Sequence, residues 1–285
     1  MLFLISSALL LSVYSLVFKL AHRRGCDVLG VTGGMMAVGA VLSLIYLVLR
    51  VPLRAIPLPV INLGIIAGML FFIAVITFFE VTRRGRLAIS WTVLSLSLVI
   101  PTLASMILWG ETPFLRQCIG MGGIAAAFVL FGIDQNRVEA RRNASSSEGW
   151  IWALLLFIAF ISTGLTLVCT KAMIEQGLTD FLLHYTLIDY ASAATLAITF
   201  IWVKKRMPGH QEWKMAILMG ISGFASFILL LEALLLLSGI VVFPLRSTIN
   251  IVLTASLSVV LWREKMTVAG GVGMALAIVS IFLIP

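Results

Sequence analysis

Long apolar runs broken by short polar punctuation organise this chain. A bilayer core about 30 Å thick needs about 20 apolar residues in helix. On that rule the pattern predicts helical spans over residues 2–20, 28–49, 60–81, 87–109, 113–133, 150–171, 181–203, 215–237, 240–262 and 266–284. Trp109, Trp150, Trp202, Trp213 and Trp262 fall at predicted span ends, where amphipathic rings belong. The linkers are short. Only residues 134–149, "DQNRVEARRNASSSEG", read as a flexible hydrophilic loop. Gly-rich runs such as "GMGGIAAA" and "GGVGMALA" suit close helix packing in lipid. The predicted fold class is all-α: a polytopic membrane protein of ten transmembrane helices.

Composition removes the soluble alternative. The 285 residues are 61% hydrophobic and 11% charged, with mean hydropathy +1.13. A soluble domain is about half apolar and about a quarter charged. The net charge of +8 points to no nucleic-acid partner, because membrane proteins concentrate Lys and Arg in cytoplasmic loops. Cys26, Cys118 and Cys169 are scattered without a CxxC, and the three histidines form no HExxH, so neither a metal nor another cofactor is expected. The N-terminal run is followed, not preceded, by Lys19, His22, Arg23 and Arg24. This is the reverse of a cleaved signal peptide, so residues 2–20 read as a retained span.

The hydrophilic loop divides the chain into two halves, residues 1–133 and 150–285, with 134–149 as linker. Residues offset by 152 positions match: Lys19 with Lys171, Gly25 with Gly177, Gly68 with Gly220, Phe72 with Phe224, Glu80 with Glu232. Further on the offset becomes 153, and "LWGE" (108–111) faces "LWRE" (261–264). Five spans per half is odd, so the second half must enter from the opposite side. Such an inverted repeat is a recurring plan of secondary transporters.

The residues that carry a family likeness are "KLAHRRG" and "KAMIEQG" after spans 1 and 6, "SGIVVFPL" entering span 9, and the "LWGETPFLRQCIG" and "LWREKMTVAGGVG" junctions. Over essentially the whole chain the pattern resembles the EamA type of the drug/metabolite transporter superfamily. The resemblance implies ten helices around a central cavity, alternating access and transport of small metabolites, often outward. Its substrates range over amino acids, drugs, nucleotide sugars, choline and lipid-linked sugars.

Call the side holding both chain ends side A and the other side B. Of the 20 Lys and Arg, fifteen fall at side B loops or span ends and four at side A, with Arg246 inside a span. The positive-inside rule then places side B in the cytoplasm, whereas the resemblance places the termini inside. The expected location is the bacterial inner membrane. Within the cytoplasm the "NAS" sequon at 143–145 has no meaning.

Charges inside spans carry the candidate chemistry. An arginine at a membrane-helix centre costs roughly 2.5–3.5 kcal/mol on insertion scales and needs a partner or a purpose. At about 1.5 Å per helical residue, Arg246 lies roughly 9 Å deep, Asp189 roughly 12 Å and Glu232 near 8 Å, all from side A. The repeat equivalents of Asp189 and Arg246 are Ala37 and Val93, so the second half alone carries both charges. Two readings stand. Asp189 or Glu232 neutralises Arg246 as a structural ion pair, or Arg246 takes an anionic substrate group through its planar fork while an acid receives an ammonium. Asn250, one turn below Arg246, would point the same way. Trp91 and Tyr14 are candidate cavity aromatics. Lys19 with Glu80, and Lys171 with Glu232, are candidate ion pairs that pin helices or close the cavity alternately. A proton is the candidate coupling ion.

"GISGFAS" (220–226) contains the Gly-x-Ser-Gly of some intramembrane serine proteases, but Gly220 aligns with Gly68, which explains the glycine as packing. No enzyme is expected. The sequence reads as an exporter or exchanger of a small zwitterionic or anionic metabolite such as an amino acid, with a lipid-linked or nucleotide-linked sugar as the alternative. Its partners would be that solute and the bilayer, with monomer and homodimer both left open.

Overall fold

The computed structural model describes residues 1–50, 55–83, 94, 96–140, 149–203, 205, 208–262 and 268–283. Ten α-helices account for nearly all of them: α1 (Leu2–Arg23), α2 (Val28–Arg50), α3 (Leu58–Arg83), α4 (Val99–Leu108), α5 (Leu115–Ala140), α6 (Gly149–Glu175), α7 (Leu182–Val203), α8 (His210–Leu236), α9 (Gly239–Trp262) and α10 (Val268–Leu283). Each coincides with a predicted span. The first part of the fourth span, residues 87–93, lies outside the described residues. Seven helices among the described residues are long and apolar enough to cross a membrane: α1, α2, α3, α6, α7, α8 and α9. The outer surface agrees with that reading, since Leu49 is 76% exposed and Leu115 78%, an exposure that belongs against lipid.

One boundary differs from the reading of 134–149 as loop. Helix α5 continues through Ala140, because "DQNRVEA" contains neither Gly nor Pro to end it.

The helices pack mainly across the two halves. Helix α1 lies against α8 and α9, while α6 lies against α3 and α4; α2 packs on α7 and α8, and α3 on α7. The remaining principal pairs are α4 with α9 and α5 with α10. Exchanging α1 for α6, α2 for α7, and so on returns the same principal pairs. The repeated glycines show why. Gly25 (φ +66°) and Gly177 (φ +70°) end α1 and α6 in left-handed backbone, and the caps they form are alike. Cys26 N–H bonds Ala21 C=O and Gly25 N–H bonds His22 C=O; Leu178 N–H bonds Met173 C=O and Gly177 N–H bonds Ile174 C=O. This is the Schellman pattern, in which a Cβ at the left-handed position is disfavoured.

Gly68 and Gly220 are also equivalent, through close approach rather than conformation. A Cβ on Gly68 would sit 2.3 Å from the Asp189 carbonyl oxygen on α7, and one on Gly220 2.6 Å from Val38 on α2. Both glycines let one half's third helix press against the other half's second helix. Apolar clusters fill the spaces on either side, one around Leu230, Val242 and Phe243, another around Val31, Met36 and Met219.

Candidate solute site

Arg246 sits two residues beyond Pro244 in α9, and its partners are not the acids expected. Nε donates to Ser7 Oγ at 2.8 Å and an Nη to Ser226 Oγ at 2.9 Å. The two serines also lock α1 to α8. Ser7 Oγ donates to Ser226 C=O and Ser226 Oγ donates to Ser7 C=O, each at 2.7 Å. Each hydroxyl thus spends its one proton on the opposite backbone and offers its lone pairs to the guanidinium. The arrangement uses two of the five Arg N–H groups and supplies no negative charge.

Among the described residues no acid forms an ion pair with Arg246, which corrects the expectation that Asp189 or Glu232 neutralises it. The reason is placement. Asp189 lies on α7, whose principal neighbours are α2 and α3, whereas Arg246 looks toward α1 and α8. Glu232, near the side A end of α8, is exposed.

Asn250 does face the same helix as Arg246. Its Oδ1 accepts from Ser12 at 3.1 Å and Ser15 at 3.4 Å on α1, and from Thr254 at 3.3 Å on its own helix. Tyr14 runs alongside Gly223, where a Cβ would meet its ring at 3.4 Å and the Tyr190 hydroxyl at 4.0 Å. Tyr190 is the hub of an aromatic group, with Phe71, Phe224 and Phe227 all edge-on between 6.1 and 6.3 Å from its ring. Trp91 lies outside the described residues.

Asp189 is 4% exposed, and its Oδ1 is buried without a hydrogen-bond partner. No described residue forms an ion pair with it. A buried carboxylate without a compensating group is costly, so its retention calls for a purpose beyond packing.

Lys171 provides the contrast. It is 3% exposed and fully compensated, with Nζ 2.8 Å from Glu111 Oε1 and 2.6 Å from Glu175 Oε1. Glu111, in the linker after α4, also accepts from Gly239 N–H at 3.1 Å and Ile240 N–H at 3.0 Å, capping the start of α9. The anticipated Lys171–Glu232 pair is therefore corrected to Lys171–Glu111. The approach is tight: a Cβ on Gly239 would lie 2.3 Å from Ser105 Oγ and 3.3 Å from Lys171 Cε. Burial pushes the Glu111 carboxyl up. The Lys171 ammonium and the two α9 N–H groups outweigh it and hold the group below its ordinary value. Lys19 and Glu80 of the first half are both half-buried.

Three residues here escaped the sequence reading, and each left a trace in it. Glu111 is the glutamate of the repeated "LWGE". Ser7 and Ser226 face Ala159 and Ala74 in the other half, the same kind of one-sided polar substitution that singled out Arg246 and Asp189.

Comparison with known proteins gives the chemistry a context. Residues 150–284 match the model of the EamA-like transporter family. No curated protein matches the chain. A solved crystal structure superposes with a TM-score of 0.75 at 20% identity, covering 99% of this chain and 95% of its own, a likeness of fold.

Proposed function

We propose that this chain, a membrane transporter whose residues 150–284 belong to the EamA-like transporter family, is a secondary carrier of small zwitterionic or anionic metabolites, amino acids foremost. The observation that carries the proposal is the unneutralised Arg246. Its guanidinium is bonded to two serine hydroxyls, with no carboxylate among its described partners. Lys171 is the internal control, for where a buried cation in this fold has a structural role, two carboxylates compensate it. Arg246 is positioned but not compensated, so its remaining N–H fork is available to a carboxylate. Asp189, of opposite sign and equally uncompensated, is the group for a substrate ammonium. A lipid-linked or nucleotide-linked sugar would call for more uncompensated cations inside the helix bundle than Arg246 alone.

In this reading residues 1–133 and 150–285 are inverted repeats that exchange access to the site between the two faces of the bacterial inner membrane. Side B lies in the cytoplasm, transport runs outward or by exchange, and a proton is the candidate coupling ion. The carrier works as a monomer or homodimer.

The test is ligand-induced thermal stabilisation of purified protein, wild type beside Arg246→Ala, against amino acids, organic cations, sugar phosphates and nucleotide sugars. A ligand at about 100 times its Kd stabilises the folded state by about 2.7 kcal/mol. The expected result is a shift by zwitterions or anions in wild type that is lost in a still-folded Arg246→Ala. If every wild-type ligand survives the substitution, Arg246 is structural and the proposal fails.

A further inference from the structure

A second set of charges lies at the side A mouth, away from Arg246. A pocket of about 230 Å³ opens between the ends of α2 and α8 and the start of α7, lined by Arg50, Tyr46, Asp180, Glu232, Ile228 and Leu231 among others. That volume equals roughly eight waters of liquid, enough for a small solute. Arg50 lies over the Tyr46 ring, its Cζ 5.7 Å from the centroid. Among the described residues Arg50 forms no ion pair with Asp180 or Glu232, although all three line one pocket. One base and two acids thus face a common space without neutralising one another.

The pocket is separate from the Arg246 site, on the other side of α8, and aromatic rings connect its lining to the helix interior. Ile228 and Leu231 continue a stripe on α8 that begins at Phe224, one helical turn below. Phe224 stands edge-on to both Tyr46, at 6.2 Å, and Tyr190, at 6.3 Å. Phe224 thus links Tyr46, in the pocket lining, to the aromatic group around Tyr190, and Gly223 brings that group near Tyr14. Ser226 projects from the opposite side of α8, toward Ser7 and Arg246.

We infer that this pocket is an entry site for free zwitterionic solutes: Arg50, braced on Tyr46, takes the carboxylate, and Asp180 and Glu232 take the ammonium. The inference rests on the reading of the carrier's substrate as zwitterionic. It adds a vestibule at which the solute waits before reaching Arg246 and Asp189. A planar guanidinium and a pair of acids select for a molecule with both charges, and disfavour one with either charge alone. Glu232 thereby gains a place in solute binding that is independent of Arg246.

The test is equilibrium binding of radiolabelled L-leucine to the purified full chain, with N-acetyl-L-leucine and L-leucinamide as singly charged competitors. Wild type is expected to show two saturable sites. Arg50→Gln and Glu232→Gln each weaken one of them by about tenfold or more, as loss of a charged hydrogen bond implies. Arg50→Lys retains part of that site, Arg246→Gln removes the other, and neither competitor displaces leucine from the vestibule. Arg50 and Glu232 are exposed, and melting curves confirm that the variants fold. A single site removed only by Arg246→Gln overturns the vestibule and leaves the carrier reading intact. A single site, lost in Arg50→Gln and untouched by Arg246→Gln, supports the vestibule and fails the central reading. No saturable leucine binding overturns both. A zwitterionic lipid headgroup carries the same pair of charges. Vestibule binding that is weaker in phosphatidylethanolamine nanodiscs than in phosphatidylglycerol ones assigns the pocket to lipid and overturns solute entry.

Discussion

The Glu111 clamp allows a quantitative test. Glu111→Gln keeps the side-chain shape and removes the charge that faces Lys171 at 2.8 Å. Stripping one partner from a buried pair costs about 3–5 kcal/mol. Two features of the structure set where this site falls. Glu175 stays at 2.6 Å from the ammonium, and the Glu111 side chain is itself 16% exposed, so the electrostatic loss shrinks. Against that, the glutamine amide turns an N–H toward Lys171 or toward the Gly239 and Ile240 N–H groups, leaving a donor opposed at about 1 kcal/mol. The expected loss is about 2–3 kcal/mol, a fall in melting temperature on the order of 5–10 °C for a chain of roughly this size. The assay is thermal unfolding in detergent, run as a double-mutant cycle with Lys171→Met, in which coupling above about 1 kcal/mol identifies the pair. Because the folded Glu111 carboxyl titrates below its ordinary value, its contribution is present above that value and disappears as pH falls through the lower, folded one. The gap between wild type and Glu111→Gln should therefore be full at neutral pH and close below about pH 4. A loss under about 0.5 kcal/mol, without coupling, is what a screened surface pair gives and would refute the reasoning.

Other expected outcomes follow from the same geometry. Gly68→Ala drives a Cβ to 1.9 Å from Ser192 Oγ and 2.3 Å from the Asp189 carbonyl, so it should lower the melting temperature more than Gly220→Ala, whose nearest contacts are the side-chain carbons of Val38; equal effects would contradict this packing. Gly177→Val places a branched residue in left-handed backbone and should destabilise by about 1–2 kcal/mol, read by the same melts. Ser7→Ala with Ser226→Ala should lower the melting temperature, because the hydroxyls join α1 to α8, and weaken zwitterion binding in the folded protein, because the guanidinium loses both groups that aim it. Asp189→Asn removes a costly buried carboxylate that has no partner, so stability should hold or rise while ammonium-bearing ligands lose their thermal shift. A large loss of stability in Asp189→Asn would assign that carboxylate a structural role.

The sequence by itself determined the helices and much of their arrangement. Twenty-residue apolar runs have one stable form in lipid, because every backbone N–H and C=O must be satisfied within the segment. The ten spans were therefore readable without any knowledge of neighbours. The repeat was equally legible: Gly25 with Gly177, and Gly68 with Gly220, are each matched by a shared cap or a shared close approach. That the second half alone carries Arg246 and Asp189 could be read from Val93 and Ala37 at the equivalent positions. Tertiary structure decided the pairing. Depth along a helix says how far a charge lies from the membrane face but not which way the helix is turned or which helix stands beside it. Arg246, Asp189 and Glu232 share a depth, yet α9 turns its arginine onto α1 and α8, while Asp189 rides on α7 against α2 and α3. Lys171 likewise bonds Glu111, from a linker sixty residues earlier, because α4 and α9 meet where α6 ends. Hydropathy fixes the axial coordinate of each residue, and only the packing of small residues between helices fixes the azimuth. The choice of partners, and with it the uncompensated charge that marks the candidate site, belongs to the azimuth.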